Sequence, residues 1–452
     1  MRAGVKTGDM ALDPSRFPVE EFTLDNGLRV RLLVDHSLPV CSIYSFFRVG
    51  SRNERPGITG ISHLFEHMMF NGSKKYGPKE FDRRLEAAGG SSNAYTSNDL
   101  TAYYEDFASD ALPLVLDLES DRMAALTIDD ASLARERGVV KEERRFRTDN
   151  DIDGMMDEAL GALAFLAHPY RWPVVGWMSD LNRITKADCE AYFRAYYAPN
   201  NCTVWLAGDF DPAYARAEIS RLYGTIPAGP KLPEVPQGEP PQKGPRRSVV
   251  QFPAQAPALL FGYRAPAGDS HDSLVLDLIE TALGHGQGSR LIRAMVYEQE
   301  LCVEARAGFG WRLDPGMFQI SLRLNPGVET AKAEAALMGE LEKICREPLP
   351  AEEIRRAKNL VRANLLRSLV STNGRAHMMG QMELMLGDWR TLLDLDDRYE
   401  AITAEEMQRV AKAVFAPHRR NVIELVPGEQ LETDPEDVAQ AVDAHLLVGG
   451  SL

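Results

Sequence analysis

Between Gly229 and Arg247 the chain carries Pro230, Pro233, Pro236, Pro240, Pro241 and Pro245. Proline fixes φ and removes a backbone donor, so this density favours an extended, semi-rigid spacer over a helix or a central strand. The spacer divides the chain near its middle. At 452 residues the chain is also too long for one ordinary hydrophobic core. The expected layout is a polar lead-in at 1–17, a first domain at 18–228, the spacer at 229–247 and a second domain at 248–452.

Similar signals recur on both sides of the spacer. In the first half, strand-like runs at 21–24 and 28–34 flank Asp25-Asn26-Gly27, a hairpin signal because Asn-Gly tolerates the positive φ of tight β-turns. A third strand is expected at 41–49, then a helix with Thr59 as N-cap and Asn71-Gly72 at its end. A second helix should begin at Pro78 and a strand pair should span 92–97 and 100–107. Helices then dominate, including a charged one at 130–147, until a strand at 202–207. The second half restarts with strands at 248–252 and 258–263, a helix at 273–283, a glycine-bearing turn and another helix. Strands at 302–309 and 318–324, four helices and a last strand at 421–426 complete it. Two α+β domains of one architecture are the expectation. The turn Gly284–Gly288 lacks the Gly-x-Gly-x-x-Gly register and the Lys-Ser/Thr of a phosphate loop, which argues against a nucleotide site.

The formal net charge of −15 and pI near 5.2 argue against a nucleic-acid partner and suit basic peptide segments. Cys41, Cys189, Cys202, Cys302 and Cys345 are odd in number and scattered, and read as buried thiols rather than a disulfide framework or a cysteine zinc site. Neither a signal peptide in the first seventeen residues nor an 18-residue apolar run is visible. The expectation is a cytoplasmic chain with no membrane partner, or a periplasmic one if a signal was removed before residue 1.

The chemistry-bearing stretch is His63-x-x-Glu66-His67. Helical positions four apart lie about 6 Å from each other along the axis, so both imidazoles can reach one metal ion. Glu66 shares their face and can take a proton from the attacking water in metal-assisted hydrolysis. The order reverses the commoner His-Glu-x-x-His and is the inverzincin signature. Packed core histidines can produce the same spacing, so the motif alone leaves a structural reading open. Glu136 and Glu143 on the charged helix are seven apart and therefore share a face.

With the motif go Gly50–Asn71, Ser92–Tyr104, Arg135–Arg145 and His168-Pro169-Tyr170-Arg171-Trp172-Pro173-Val174-Val175-Gly176. Together these resemble the M16 family of zinc metallopeptidases, which contains pitrilysin, insulin-degrading enzyme and the mitochondrial processing peptidase; the two-domain length resembles its M16B branch. The resemblance runs from about Phe22 to Val426 and implies two homologous domains, each a mainly antiparallel sheet packed with helices. It implies one Zn2+ per chain on His63, His67 and Glu143, with Glu142 the competitor for the third place. It also implies Glu66 as general base, Glu136 as the orienting carboxylate, and Asn93 and Ala94 on an edge strand that receives a peptide substrate by β-augmentation.

One departure bears on catalysis. The family's arginine and tyrosine, seven residues apart in the second half, fall here on Val296 and Val303, and neither side chain donates a hydrogen bond. Losing such donors costs on the order of a hundredfold in turnover. The resemblance therefore implies a zinc-bearing endopeptidase subunit whose homologous partner supplies that pair. The competing expectation is a non-catalytic scaffold subunit that retains the fold.

Overall fold

The computed structural model describes residue 12, residues 14–236 and residues 238–428. Most of the 1–17 lead-in therefore lies outside the described residues. The protein is built on two sheets of matching design. The first contains β1 (Val19–Thr23), β2 (Arg29–Val34), β3 (Val40–Phe47), β4 (Ser91–Thr96), β5 (Thr101–Ala108) and β6 (Cys202–Gly208), in the order β1-β2-β6-β3-β5-β4. The second contains β7 (Arg246–Phe252), β8 (Ala258–Arg264), β9 (Cys302–Phe309), β10 (Met317–Leu324) and β11 (Arg420–Pro427), in the order β7-β11-β8-β10-β9.

The pairings superimpose as well. In each sheet one strand pair is parallel, β2 with β6 and β7 with β11, and every other ladder is antiparallel. The first half adds the β1 hairpin strand, whose turn is pinned by Asn26: its Nδ2 donates to Tyr223 O at 2.8 Å and Ile226 O at 2.9 Å. At the other border of the first sheet, β4 pairs among the described residues only with β5 and is left as an edge.

The helices that matter for the site are α1 (Ile61–Met68), α2 (Glu80–Ala87), α3 (Leu112–Ala125), α4 (Asp130–Arg144) and α5 (Ile152–Ala164). Later come α6 (Met178–Leu181), α7 (Lys186–Tyr196), α8 (Pro212–Tyr223), α9 (His271–Gly284), α10 (Thr330–Arg346), α11 (Ala351–Ser368) and α12 (Thr372–Leu386). Apolar periodicity explains which faces are buried. In α1, Ile61, Leu64, Phe65 and Met68 recur at helical spacing and are buried, which turns His63, Glu66 and His67 to the opposite side.

The halves exchange helices. From the first half, α5 lays Met156 and Leu160 against Leu260 and Ile423 of the second sheet. From the second half, α12 packs Ala376 and Met379 into one core with Phe46 and Trp205 of the first sheet. Gly380 is required there, because a Cβ at that position would stand 2.0 Å from the Phe46 ring. Buried polar pairs fasten the same contact: Arg31 reaches Glu383 at 2.6 Å, and Trp205 Nε1 donates to Glu383 at 3.1 Å.

Several boundaries differ from those read in the sequence. Thr59 does not cap α1; the helix starts after Gly60, which adopts a left-handed φ of 87°. Helix α2 begins at Glu80 instead of Pro78. The charged helix holds α geometry to Arg144 and continues as a π-helical turn, Arg145–Asp149, and the helix after Gly288 is π-helical over Ile292–Glu298. All five cysteines are free thiols, and four of them are buried. Among the described residues no helix is long and apolar enough to cross a membrane.

Candidate metal centre

The site is assembled where α1 meets α4. On α4, Leu133 and Val140 are buried against the first core, and Glu136 and Glu143, each three residues further on, stand on the side facing α1. Glu143 Oε2 lies 3.6 Å from His63 Nε2 and 3.2 Å from His67 Nε2. Among the described residues these three form the group of side chains able to hold a metal ion, with all ligand atoms within 4.8 Å of one another. Two ligands at about 2.0–2.2 Å from zinc and a tetrahedral angle sit roughly 3.4 Å apart. The chain's own distances therefore fit zinc, and two nitrogens with one carboxylate oxygen leave a fourth position free.

The other carboxylates have separate places. Glu136 Oε2 is 3.9 Å from His67 Nδ1, the ring nitrogen turned away from Glu143, and its second oxygen takes Arg135 Nε at 3.1 Å. Arg135 also donates to Asn71 Oδ1 at 2.5 Å, tying the end of α1 to α4. Glu142 is 72 % exposed and pairs with Arg145, so it points away from the histidines. Arg147 reaches Glu143 Oε1 at 2.6 Å, leaving Oε2 for the histidines.

Burial and charge split the protonation of the two histidines. Burial pushes His63 down to about 4, against the pull of Glu143, so its ring is neutral at ordinary pH. Burial also opposes the charged form of His67, but the hydrogen bond and charge of Glu143 outweigh it and raise His67 above its usual value. The His67 hydrogen bond is the main cause that holds Glu143 below the ordinary glutamate range. Glu66 is raised by burial, with Thr96 on β4 acting in the opposite sense. The edge strand β4 packs against α1, the helix that carries Glu66.

Asn93 is exposed on β4, and its Oδ1 accepts the Ala94 N–H at 2.8 Å, so that donor lies on the open border of the sheet. Tyr95 Oη is 2.9 Å from His377 Nε2 on α12. Val296 and Val303 are well apart from these residues in the chain: they line one surface cavity in the second half, Val296 on the π-helical segment and Val303, 62 % exposed, on β9.

Residues without a motif hold α1 in place. Glu54 is buried and its two oxygens accept the Gly60 and Ser62 N–H groups, both at 2.8 Å, satisfying donors that a helix start leaves open. Asp180 Oδ2 accepts Gly57 N at 3.0 Å, Thr59 N at 3.2 Å and Thr59 Oγ1 at 2.7 Å. Gly60 and Gly176 touch backbone to backbone. Arg144, next to Glu143, is buried and donates to Gly176 O at 2.7 Å and to Glu158 at 2.7 Å. An acidic residue nine positions before the first histidine is the sequence signal for Glu54, but nothing local identifies it as the cap.

Comparisons with known proteins bear on the family and the fold. The family description "Insulinase (Peptidase family M16)" matches residues 29–175, and "Peptidase M16 inactive domain" matches residues 183–361. The chain belongs to the M16 peptidase family. It is similar to a protein named zinc protease PqqE from Helicobacter pylori, 29% identical over 412 residues that cover 90% of this chain and 93% of that one. It is also similar to the mitochondrial-processing peptidase subunit beta of Blastocladiella emersonii, 23% identical over 90% of this chain and 88% of that one. A crystal structure of a protease from Helicobacter pylori matches at a TM-score of 0.87 and 28% identity, covering 91% of this chain and 100% of that one. The fold is thus the M16 one, two α+β units with mainly antiparallel sheets, and several of its relatives are named zinc proteases.

Proposed function

We propose that this chain is a zinc-dependent endopeptidase of extended peptides, with one ion on His63, His67 and Glu143 and with Glu66 as general base. The observation that carries the reading is the juxtaposition of three metal-ligating atoms, a carboxylate of raised pKa and an open strand edge. A zinc ion held there would polarise the scissile carbonyl and lower the pKa of a water molecule towards neutrality. Glu66 takes the proton of the attacking water and returns it to the leaving amine, and burial keeps its affinity for that proton above an ordinary glutamate's. Glu136 keeps the His67 ring oriented through Nδ1.

An extended substrate adds to β4 as a further strand, pairing its backbone with the open edge. The Ala94 N–H, which Asn93 covers with its own side chain, is then taken by a substrate carbonyl. Val296 and Val303 offer no donors to the developing oxyanion, so the proposal includes a homologous partner subunit that supplies an arginine and a tyrosine.

The test is cleavage of an unstructured peptide by the purified, zinc-loaded chain, alone and with a related subunit that lacks the His-x-x-Glu-His motif. Zinc-dependent cleavage that rises with the partner is expected. Full activity of the chain alone, unchanged by any such partner, would refute the partner requirement. Bound zinc with no cleavage in any combination would favour the second reading, a scaffold subunit, to which the two valines give support.

A further inference from the structure

The loop 310–316, between β9 and β10, belongs to the second half yet ends in a buried polar cluster of the first. Asp314 Oδ2 receives Arg52 Nη2 at 3.0 Å and His168 Nε2 at 3.1 Å. The His168 ring must carry its proton on Nε2, because Nδ1 accepts the Tyr170 N–H at 3.1 Å. Tyr170 Oη donates to Asp99 at 2.6 Å and accepts the Asp314 N–H at 3.1 Å. Asp99 also accepts the Leu313 N–H at 3.1 Å, and Arg312 donates to Asn98. Arg52, Asp99, His168, Tyr170 and Asp314 are all buried. Removing one partner from such a network leaves charges unpaired in the interior.

The cluster lies where two parts of the site begin. Asn98 and Asp99 form the turn that leaves β4, the edge strand packed against α1. Arg52 sits on the Ser51–Asn53 turn that leads straight to Glu54, which caps α1. The two turns are themselves joined, Ser51 N to Ser97 O at 3.1 Å and Arg52 N to Asn98 O at 2.9 Å. One loop of the second half thus clasps the root of the edge strand and the root of the metal helix together. The motif His168–Gly176 is part of the clasp: Trp172 Nε1 donates to Ser51 O at 2.8 Å.

We infer that Asp314 is a positioning residue, by which the second half holds β4 and α1 in fixed register so that a peptide on the strand is presented to the metal centre. The inference rests on the peptidase reading for its consequence but not for its test. Asp314→Asn keeps the shape of the side chain and removes its charge. Asp396→Asn serves as the control. It breaks another buried ion pair of the second half, with Arg362 at 2.7 Å, and touches neither turn. Three quantities are read on the full chain: zinc affinity by chelator competition, amide exchange of residues 91–96, and KM against kcat for a peptide.

Asp314→Asn is expected to weaken zinc binding and raise KM by about tenfold or more, the range seen for outer-shell changes, and to speed exchange in β4. Asp396→Asn is expected to lower the melting temperature without these effects. If Asp314→Asn fails to fold, Arg312→Ala, which spares Asp314 and frees Asn98 and the face of the Tyr170 ring, is expected to speed exchange in β4. Zinc affinity and β4 exchange that stay at wild-type values, or that track thermal stability equally in the Asp314 and Asp396 variants, would overturn the inference. Should the chain cleave nothing, zinc affinity and exchange still decide this point, so the two proposals fail separately.

Discussion

Gly176→Ala probes how tightly the metal helix is seated. Gly176 has φ +81°, and a Cβ there would lie 2.3 Å from Thr59 O and 2.4 Å from both Gly60 Cα and Gly60 N. Carbon contacts relax at about 3.5 Å, so one backbone has to retreat by about 1 Å. The left-handed φ costs about 1–2 kcal/mol and overpacking about 1–3 kcal/mol, about 2–5 kcal/mol together. The retreat falls on Gly60 at the start of α1, or on the carbonyl that Arg144 holds beside Glu143. A 1 Å misplacement can cost on the order of a hundredfold in turnover, and zinc affinity should fall with it. Gly57→Ala isolates the clash: φ there is +96° but a Cβ meets nothing within 4 Å, so it pays only the φ cost, about 1–2 kcal/mol. Chelator competition and peptide cleavage on both variants decide the matter. If Gly176→Ala binds zinc and turns over substrate as Gly57→Ala does, the backbone contact does not seat α1 and the reasoning is refuted.

Glu143→Gln should weaken zinc binding far more than Glu142→Gln, whose side chain faces solvent; the reverse order in chelator competition would reassign the third ligand. Glu136→Gln should cost about 10–100-fold in zinc affinity or activity, and no effect on either would remove its orienting role. Ligand histidines must be neutral to bind metal. His67 is raised and His63 is already neutral down to about pH 4. Apparent zinc affinity should therefore climb as pH rises towards the raised His67 value and level off above it, with about one proton released per ion on the acid side. Calorimetry in buffers of different ionisation enthalpy would contradict this by finding about two. Val296→Arg combined with Val303→Tyr should raise cleavage by the chain alone, measured against the wild type without a partner; no gain would argue that the missing donors act elsewhere.

What the sequence made legible follows the reach of each signal. The hairpin at Asn26, the strand positions and the face shared by His63, Glu66 and His67 depend on neighbours in the chain, and the structure places them together. The place of Glu143 came from the family resemblance and from its sharing a face with Glu136. Its choice over Glu142 becomes a physical statement only when α4 is laid against α1. Capping rules are local and point to Thr59, whereas the donors of α1 are met by Glu54 from an earlier turn, and the Thr59 hydroxyl goes to Asp180 from much further on. The exchange of α5 and α12 between the sheets could not be read either, since amphipathic periodicity shows that a face is buried but not against which sheet. His168 and Asp314 are similarly silent, 146 residues apart in sequence and 3.1 Å apart in the fold.

The central claim is that Glu66 performs the proton transfer at a metal centre it does not itself ligate. Glu66→Gln, with zinc content and peptide cleavage measured on the same sample and in the subunit combination that gives wild-type activity, tests it most directly. Unchanged zinc content and affinity are expected, with cleavage reduced by about 10²–10⁴-fold, the usual worth of a positioned general base. Substantial cleavage by the zinc-loaded variant, or loss of its zinc, would contradict it.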